Sequence, residues 1–192
     1  MTYGFFALVS RMRNIDRWAL MRNMSRENVQ EHSQMVAVIA HALAVIRRDV
    51  LGVPCSPDRA AAAALFHDAT EIYTGDMPTP VKYHDDELRT AYKKLESGAA
   101  ARLVSALPER MRPEYAALLA GGGVSDLVRA ADKLAAYIKC LEELRAGNGE
   151  FRRAAESTKA KLEALKMPEV DYFMEHFVPA FELTLDDLEL KD

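Results

Sequence analysis

The spacing of apolar residues restricts this chain to helices along nearly its whole length. After Ser25, apolar residues recur at steps of three and four: Met35, Val36, Ile39, Leu43 and Ile46. This spacing places them on one face of an α-helix, whereas a strand would require alternation. The sequence contains no alternating segment of useful length, no internal repeat and no low-complexity linker. We therefore predict an all-α protein, a single-domain bundle of six to eight helices over residues 1–192.

Capping residues indicate where two of these helices begin and end. Ser25 is predicted as the N-cap of the first, with Glu27 in its first turn. A second helix is predicted to begin after Ser56, which precedes a proline and an aspartate that suit a first helical turn. This helix is expected to extend to about Thr74, where Gly75 suits the C-cap.

Prolines and glycines separate the remaining helices. Five more are predicted, at about 85–107, 113–120, 125–145, 150–166 and 168–177. The segment Met77-Pro78-Thr79-Pro80 cannot continue a helix, because proline lacks an amide donor and forces the preceding residue into an extended conformation. A rigid extended loop is therefore predicted after Asp76.

Length and charge narrow the class of protein. A chain of 192 residues is long enough for one domain that buries roughly two thirds of its unfolded surface. The formal net charge is -4, and nothing suggests the broad basic face with which proteins bind polymeric nucleic acid. An anionic ligand would need positive charge from a metal ion or from a single well-placed arginine.

The expected location is the cytoplasm. Cys55 and Cys140 stand alone without CxxC spacing, as in proteins of a reducing compartment. The longest apolar run begins at Met35 and is well short of the roughly 20 residues that cross a bilayer, so no membrane span is predicted. At the amino terminus the charges follow the apolar stretch, which argues against a secretory signal.

The stretch FHDATEIYTGDMPTP, residues 66–80, concentrates chemically useful groups. His67 and Asp68 follow an apolar run and are expected to be buried. Because an unpaired buried carboxylate is costly, Asp68 needs a partner, which could be a cation, a salt bridge or a helix cap. Glu71 stands three residues after Asp68, on the same side of a helix. Three such groups together would repel one another unless a cation or protons intervened.

His32 and Asp132 lie on two further predicted helices. His32 shares the buried face of its helix, where a histidine is either a hydrogen-bonded core residue or a metal ligand. Asp132 flanks an apolar stripe among alanines, and it either pairs with Arg129 or Lys133 at the surface or faces a site. His41 is about half a turn round from His32, so the two are not expected to share one ion.

Together these helices offer two histidines and two carboxylates as candidate metal ligands: His32, His67, Asp68 and Asp132. Such a mixed nitrogen and oxygen set suits a divalent ion such as manganese, cobalt, iron or zinc. Four protein ligands leave two positions of an octahedral shell for water and a substrate oxygen. The ion would acidify the water and polarise the group under attack.

The segment Asp16-Arg17-Trp18 falls in a predicted loop shortly before the His32 helix. Arginine provides a planar fork that matches phosphate, and tryptophan provides a flat face for a sugar or a base. The alternative is a surface arginine beside a core tryptophan.

The order His32, His67-Asp68, Asp132 resembles the HD-domain superfamily of metal-dependent phosphohydrolases, which have an all-helical fold and an H…HD…D signature. Five blocks resemble the bacterial 5'-deoxynucleotidases of the YfbR-like group more specifically: RWALMRN from Arg17, ENVQEHS from Glu27, FHDATEIYTGDMPTPVKY from Phe66, KCLEEL from Lys139 and DYFMEHFVPAF from Asp171. These blocks span almost the whole chain. The stretch 98–125 looks shorter than is usual in that group.

The resemblance implies hydrolysis of deoxyribonucleoside 5'-monophosphates to the deoxynucleoside and inorganic phosphate. It implies a homodimer, with one divalent transition metal (Co, Mn, Fe or Zn) held in each chain by the four candidate ligands. Arg17 would orient the phosphate and take part in catalysis, while Trp18 would help to seat the nucleotide. Glu71 would transfer a proton involving either the attacking water or the leaving alkoxide.

The resemblance also implies a sugar-binding loop made of Asp76, Met77, Pro78 and Thr79. Asp76 would bind the deoxyribose 3'-hydroxyl, and the rigid loop would lie too close to admit a 2'-hydroxyl. The metal ligands His32 and Asp68 are expected to contact the substrate as well. Two alternatives remain open: an HD-domain hydrolase of a dNTP or a cyclic dinucleotide, and a non-catalytic helical dimer that binds nucleotides or another protein.

Overall fold

The computed structural model describes residues 2–78, 81 and 84–189, and within these ranges the regular structure is helical and contains no β-strand. The α-helices are α1 (Phe5–Val9), α2 (Val29–Val45), α3 (Pro57–Leu65), α4 (Glu71–Thr74), α5 (Asp86–Ser105), α6 (Arg112–Leu119), α7 (Ser125–Arg145), α8 (Arg152–Glu163), α9 (Pro168–His176) and α10 (Leu185–Glu189). Short 3₁₀ helices cover Ser10–Asn14, Glu109–Met111, Gly149–Phe151 and Val178–Glu182, and a π-helical turn covers Ile46–Val50. The predicted all-α fold class is confirmed.

The centre of the bundle is formed by α2, which packs against both α3 and α7. Three alanines of α3 are fully buried at this contact: Ala60, Ala63 and Ala64. Because alanine has the smallest side chain that still favours a helix, α3 can approach α2 closely. The residues that follow α3 are thereby brought beside His32 of α2 and Asp132 of α7.

A second core cluster supports the turn at residues 66–70. Its buried members are Phe5, Met12, Val29, Ala69, Leu103 and Leu107. Tyr115 joins this cluster, with its ring centroid 4.8 Å from that of Phe5 and 5.6 Å from that of Phe66. The apolar support on this side of the turn leaves its polar residues to face α2.

The N-cap of helix α2 lies three residues later than predicted. Its N-cap is Asn28, whose side chain accepts two backbone N–H groups, while Glu31 accepts the Asn28 N–H to complete a capping box. The backbone N–H of Ser25, the residue predicted as the cap, instead donates to Glu143 of α7. A contact across 118 residues therefore removes Ser25 from the helix and leaves Glu27 in the preceding loop.

The second predicted helix is interrupted. It begins as predicted, with the Ser56 side chain accepting the Arg59 N–H, but α3 ends at Leu65 and a turn precedes α4. Within that turn a ring nitrogen of His67 lies 2.7 Å from the carbonyl oxygen of Ala64. Gly75 caps α4 as predicted, at a positive φ of 71° that suits glycine.

The later helices agree with the predicted ranges to within three residues, and α7 agrees at both ends. The short helices α1 and α10 were not predicted. Asp76, Met77 and Pro78 lie outside regular secondary structure, as expected for the loop, whereas Thr79 and Pro80 fall outside the described residues. None of the helices in the described ranges combines the length and the apolar character needed to span a bilayer.

Candidate active site

Three of the four candidate metal ligands converge on one point. His32, His67 and Asp68 each provide one donor atom, and these atoms lie within 4.8 Å of one another. Asp68 Oδ2 is 3.7 Å from His32 Nε2 and 3.0 Å from His67 Nε2. His32 is fully buried, so α2 fixes the direction of its ring. A single carboxylate oxygen therefore faces both imidazoles.

Asp132 approaches the same imidazole from α7. Its Oδ1 lies 3.1 Å from His32 Nε2. Asp132 is not among the three residues whose donor atoms all lie within 4.8 Å of one another. The guanidinium of Arg129, a surface partner considered for Asp132, donates instead to the carbonyl of Ser125. His41 is exposed on α2, away from this cluster. The geometry thus places Asp132 against His32 as a further carboxylate of the site.

The electrostatics of the cluster favour a cation. Burial opposes the charging of His67, yet the neighbouring carboxylates of Asp68 and Asp132 raise the pKa of its imidazole to about 9. His67 Nε2 is buried, lies 3.0 Å from Asp68 Oδ2 and has no hydrogen bond of good geometry to any described residue. An imidazole nitrogen and carboxylate oxygens directed at one another form a donor set suited to a divalent transition metal. The residues present therefore fit such an ion.

Glu71, the first residue of α4, presents a carboxyl group beside these ligands. Its Oε2 is buried and has no hydrogen-bond partner within the described part of the chain. Burial, and then the charges of Asp68 and Asp76, raise the pKa of Glu71 to about 9, although Arg17 and His67 oppose the shift. The site thus contains a buried carboxyl group with a raised pKa, whose Oε2 has no hydrogen-bond partner among the described residues.

The arginine of the 16–18 loop points into the site. Arg17 Nη1 lies 3.4 Å from Asp68 Oδ2, and the Arg17 side chain is only 11% exposed. The Trp18 ring packs against Phe151, with the ring centroids 5.3 Å apart. The alternative of a surface arginine does not describe Arg17, while Trp18 lies partly buried at the edge of the core.

Asp76 lies on the other side of this loop. Burial raises the pKa of Asp76, whereas Arg17 and the backbone N–H of Trp18 lower it. Asp76, Met77 and Pro78 are each half-buried after the turn at Gly75. Asp76, the first residue of the predicted sugar loop, thus contacts the arginine loop, and the fourth, Thr79, lies outside the described residues.

Sequence reasoning missed one residue of the site. Glu27 was expected in a helical turn, but its Oε2 accepts hydrogen bonds from Arg17 Nε at 3.0 Å and Trp18 Nε1 at 3.1 Å. The available signal was the block ENVQEHS, which begins at Glu27. That block was attributed to the helix carrying His32 because the start of α2 was placed too early.

Comparison with known proteins identifies the family to which the chain belongs. A sequence profile of the family described as 5'-deoxynucleotidase YfbR-like matches residues 4–181. The chain belongs to the YfbR-like family. Among YfbR-like relatives, 5'-deoxynucleotidase YfbR of Escherichia coli is 49% identical over 188 residues, covering 96% of this chain and 94% of that protein. The 5'-deoxynucleotidase VP0926 of Vibrio parahaemolyticus is 46% identical over 188 residues, covering 96% and 97%.

Solved HD-domain structures have the same fold as this YfbR-like chain. An HD-domain phosphohydrolase from Listeria innocua superposes with a TM-score of 0.79 at 28% identity, covering 92% of this chain and 87% of that one. The HD phosphohydrolase DatZ of cyanophage S-2L, solved with dA and one catalytic Zn2+ ion, gives a TM-score of 0.66 at 20% identity and covers 90% and 95%. At that identity the second likeness concerns the fold alone. The expected HD-domain bundle is confirmed.

Proposed function

We propose that this protein is a metal-dependent 5'-deoxynucleotidase, which hydrolyses deoxyribonucleoside 5'-monophosphates to the deoxynucleoside and inorganic phosphate. Membership of the YfbR-like family and the names of its relatives support this activity. The observation that carries the proposal is the position of Asp68 Oδ2, which lies within 3.7 Å of His32, His67 and Arg17. The two candidate histidine ligands and the guanidinium proposed to bind phosphate therefore all approach the same oxygen atom of Asp68.

Four side chains would hold the divalent ion: His32, His67, Asp68 and Asp132. When bound, such an ion supplies Lewis acidity to a phosphoryl oxygen and lowers the pKa of water. Cobalt, manganese, iron and zinc all accept a set of two imidazoles and two carboxylates. The donor set thus supports a transition metal without distinguishing among these four.

Arg17 binds and orients the phosphate in this proposal. Its Nε is held by Glu27 and its Nη1 lies near Asp68, so the plane of the guanidinium is set before substrate arrives. A guanidinium of fixed plane can donate parallel hydrogen bonds to two phosphate oxygens. The partly buried Trp18 provides an apolar face next to it for the nucleoside.

Glu71 handles the proton that hydrolysis must move. Water attacks phosphorus, the bond from phosphorus to the 5'-oxygen breaks, and a proton lost by the water balances the proton gained by the 5'-oxygen. Glu71 Oε2 is buried beside the ligands and free of hydrogen bonds from described residues, so it can accept or donate that proton. Its role is catalytic rather than ligating.

Asp76 binds the 3'-hydroxyl of the sugar, and the loop Asp76, Met77, Pro78 and Thr79 excludes a 2'-hydroxyl. Proline restricts the backbone of this loop, and a rigid wall discriminates by steric exclusion better than one that yields. Selectivity against ribonucleotides is therefore part of the proposal. The substrate would also contact the ligands His32 and Asp68.

The proposal includes a homodimer and a cytoplasmic location. The dimer is expected from the resemblance to the YfbR-like group, and the location from the isolated cysteines. Light scattering coupled to size-exclusion chromatography measures the mass in solution, and a monomer would contradict the first expectation.

The test is a panel of dNMP, rNMP and dNTP substrates with cobalt, manganese, iron and zinc, before and after EDTA treatment. We expect phosphate release from dNMP, little release from rNMP, and loss of activity in EDTA that metal readdition restores. Pyrophosphate or triphosphate release with a preference for dNTP would favour another HD-domain hydrolase. A folded protein without metal-dependent turnover would favour the non-catalytic alternative.

A further inference from the structure

We propose that Glu27 is a positioning residue, which holds Arg17 and Trp18 together in the conformation that binds the substrate. This inference rests on the proposed function, because Arg17 and Trp18 are the phosphate and nucleoside contacts in that proposal. Glu27 acts through these two side chains and touches neither the substrate nor the ion.

One oxygen atom makes both contacts. Glu27 Oε2 accepts the Arg17 Nε–H at 3.0 Å and the Trp18 indole N–H at 3.1 Å. The side chains of Arg17 and Glu27 are 11% and 16% exposed, so solvent weakens this ion pair less than it weakens pairs at the surface. Because Nε is occupied by Glu27, the outer edge of the Arg17 guanidinium is turned toward Asp68 and the candidate ligands.

The backbone of Glu27 holds the same loop. Its carbonyl oxygen accepts the Arg17 N–H at 2.9 Å, and the neighbouring residues Asp16 and Asn28 form an antiparallel bridge. Glu27 therefore fixes Arg17 at two points, one on the main chain and one on the side chain.

The conformation of Trp18 needs such support. Its φ is 59°, in the left-handed region that a bulky residue adopts only when its surroundings enforce it. The indole N–H is held by Glu27, and the Trp18 carbonyl accepts the Met21 N–H at 2.9 Å. Without the Glu27 carboxylate, the Trp18 side chain loses the hydrogen bond that fixes its indole.

The position of Glu27 relative to His32 separates this role from metal binding. Glu27 Oε1 is 3.9 Å from His32 Nδ1, beyond hydrogen-bonding distance, whereas Asp68 and Asp132 face the opposite ring nitrogen, Nε2. Glu27 is thus on the far side of the imidazole from the other carboxylates. Its loss should change substrate binding more than ion binding.

Trp18 makes the test direct, because it is the one tryptophan in the sequence. Intrinsic fluorescence therefore reports on this side chain alone. In Glu27→Ala we expect acrylamide quenching to increase, and the KM for dNMP to rise about tenfold while kcat falls less than about threefold. Glu27→Gln keeps an acceptor oxygen and should lie between Glu27→Ala and the wild type in both measurements.

A double-mutant cycle tests whether Glu27 acts through Arg17. If it does, Glu27→Ala should raise KM less in the Arg17→Ala background than in the wild type, because only the contribution made through Trp18 remains, so the two effects will not add. Glu114→Ala is the matched control, since it removes an exposed carboxylate from an ion pair with Arg59. The control should leave both quenching and KM at the wild-type values.

Three results would overturn the inference: quenching and KM unchanged in Glu27→Ala, additive effects in the cycle, or loss of bound metal in parallel with kcat at constant KM. Circular dichroism and metal analysis of each variant identify unfolding and metal loss separately, and Glu27→Gln provides the result if Glu27→Ala does not fold. The quenching experiment needs no turnover. If the wild type releases no phosphate from dNMP, the proposed function fails, and quenching still shows whether Glu27 holds Trp18.

Discussion

Helix α7 contributes to two polar clusters, each built around buried side chains, whose hydrogen bonding differs sharply. The Glu143 cluster consists of Met24, Ser25, Lys139, Glu143 and Asn148, and the HD cluster consists of His32, His67, Asp68, Glu71 and Asp132. Glu143 accepts the N–H groups of Met24 and Ser25, a side-chain N–H of Asn148 and an ammonium hydrogen of Lys139. In the HD cluster, by contrast, His32 Nδ1, His67 Nε2 and Glu71 Oε2 are buried without a hydrogen bond from the described residues.

This difference indicates which cluster stabilises the fold and which serves chemistry. A buried polar atom without a partner costs about 1–3 kcal/mol, and folded proteins keep few of them. The Glu143 cluster satisfies its charges internally and attaches the 24–25 loop to α7. In the HD cluster, His67 Nε2 and Glu71 Oε2 lack a hydrogen bond of good geometry from the described residues and lie near the Asp68 carboxylate, as a site for an ion and a substrate requires.

The largest effect is expected for Asp68→Ala in the HD cluster. Removal of the oxygen shared by His32, His67 and Arg17 should abolish metal binding and lower dNMP hydrolysis by about 10⁴-fold or more. The thermal midpoint in EDTA should fall less than that of a variant of Glu143, because repulsion between Asp68 and the neighbouring carboxylates offsets part of its attraction to Arg17 and His67. Metal analysis, phosphate release and calorimetry measure the three effects. A variant that is destabilised but still active would show that Asp68 serves the fold and not the chemistry.

Glu71→Ala should separate catalysis from binding within the same cluster. We expect turnover to fall by about 10²–10⁴-fold, the range for loss of a general acid or base, with metal content and dNMP affinity retained. Single-turnover phosphate release and equilibrium binding measure these separately. A fully active variant would show that Glu71 does not transfer the proton.

Glu143→Ala should lower stability and leave metal binding unchanged. It leaves the Lys139 ammonium buried without its carboxylate, and we expect the free energy of unfolding to fall by about 3 kcal/mol. Metal content per folded molecule should not change. Urea denaturation with and without metal measures the loss, with the exposed Glu114→Ala as a control that should change stability little. Loss of metal without loss of stability would remove the distinction between the clusters.

The smallest expected effect is the pH dependence of stability that Glu143 causes, and it tests the role of the Glu143 cluster in the fold. Burial by itself would raise the pKa of Glu143, but hydrogen bonds from Lys139, the backbone of the 24–25 loop and Asn148 lower it from 4.5 to about 2. Since the pKa is lower in the folded than in the unfolded chain, the stabilising contribution is complete above 4.5 and decreases as the pH falls toward 2.

We expect this contribution to be on the order of 2 kcal/mol, and to be missing from Glu143→Gln. Urea denaturation in EDTA between pH 6 and about pH 3 measures it. The difference in stability between wild type and variant isolates Glu143 from the other carboxylates. A difference that stays constant over this range would contradict the assignment.

Local sequence signals predicted the ends of helices correctly where only one residue suited the cap. The capping sequence at Ser56, the glycine at Gly75 and the apolar period of α7 each appear in the structure as expected. At the start of α2 two residues, Ser25 and Asn28, both suit an N-cap. The choice between them depends on Glu143, which binds the backbone at Ser25 from the distant helix α7.

In the candidate site, too, the residues that local sequence predicted differ from the one that depends on a contact between separate segments. The types and spacing of His32, His67, Asp68 and Asp132 were sufficient to nominate them, because each is a polar residue within or directly after an apolar stretch of the sequence. Glu27 was missed because its partners are the guanidinium and indole of a loop that folds back against it. Such a contact depends on backbone conformation, including a tryptophan at positive φ, which no periodic pattern encodes.

Because α3 ends at Leu65 and α4 begins at Glu71, the candidate site is built from two separate segments of this part of the chain. His67 and Asp68 belong to the turn at residues 66–70, which is supported by the second core cluster, whereas the loop proposed to bind the sugar follows the separate four-residue helix α4. Length changes beyond Gly75 could therefore alter which nucleotides are accepted without displacing the ligands. Relatives with different substrates would then be expected to diverge after this glycine and to keep the turn before it.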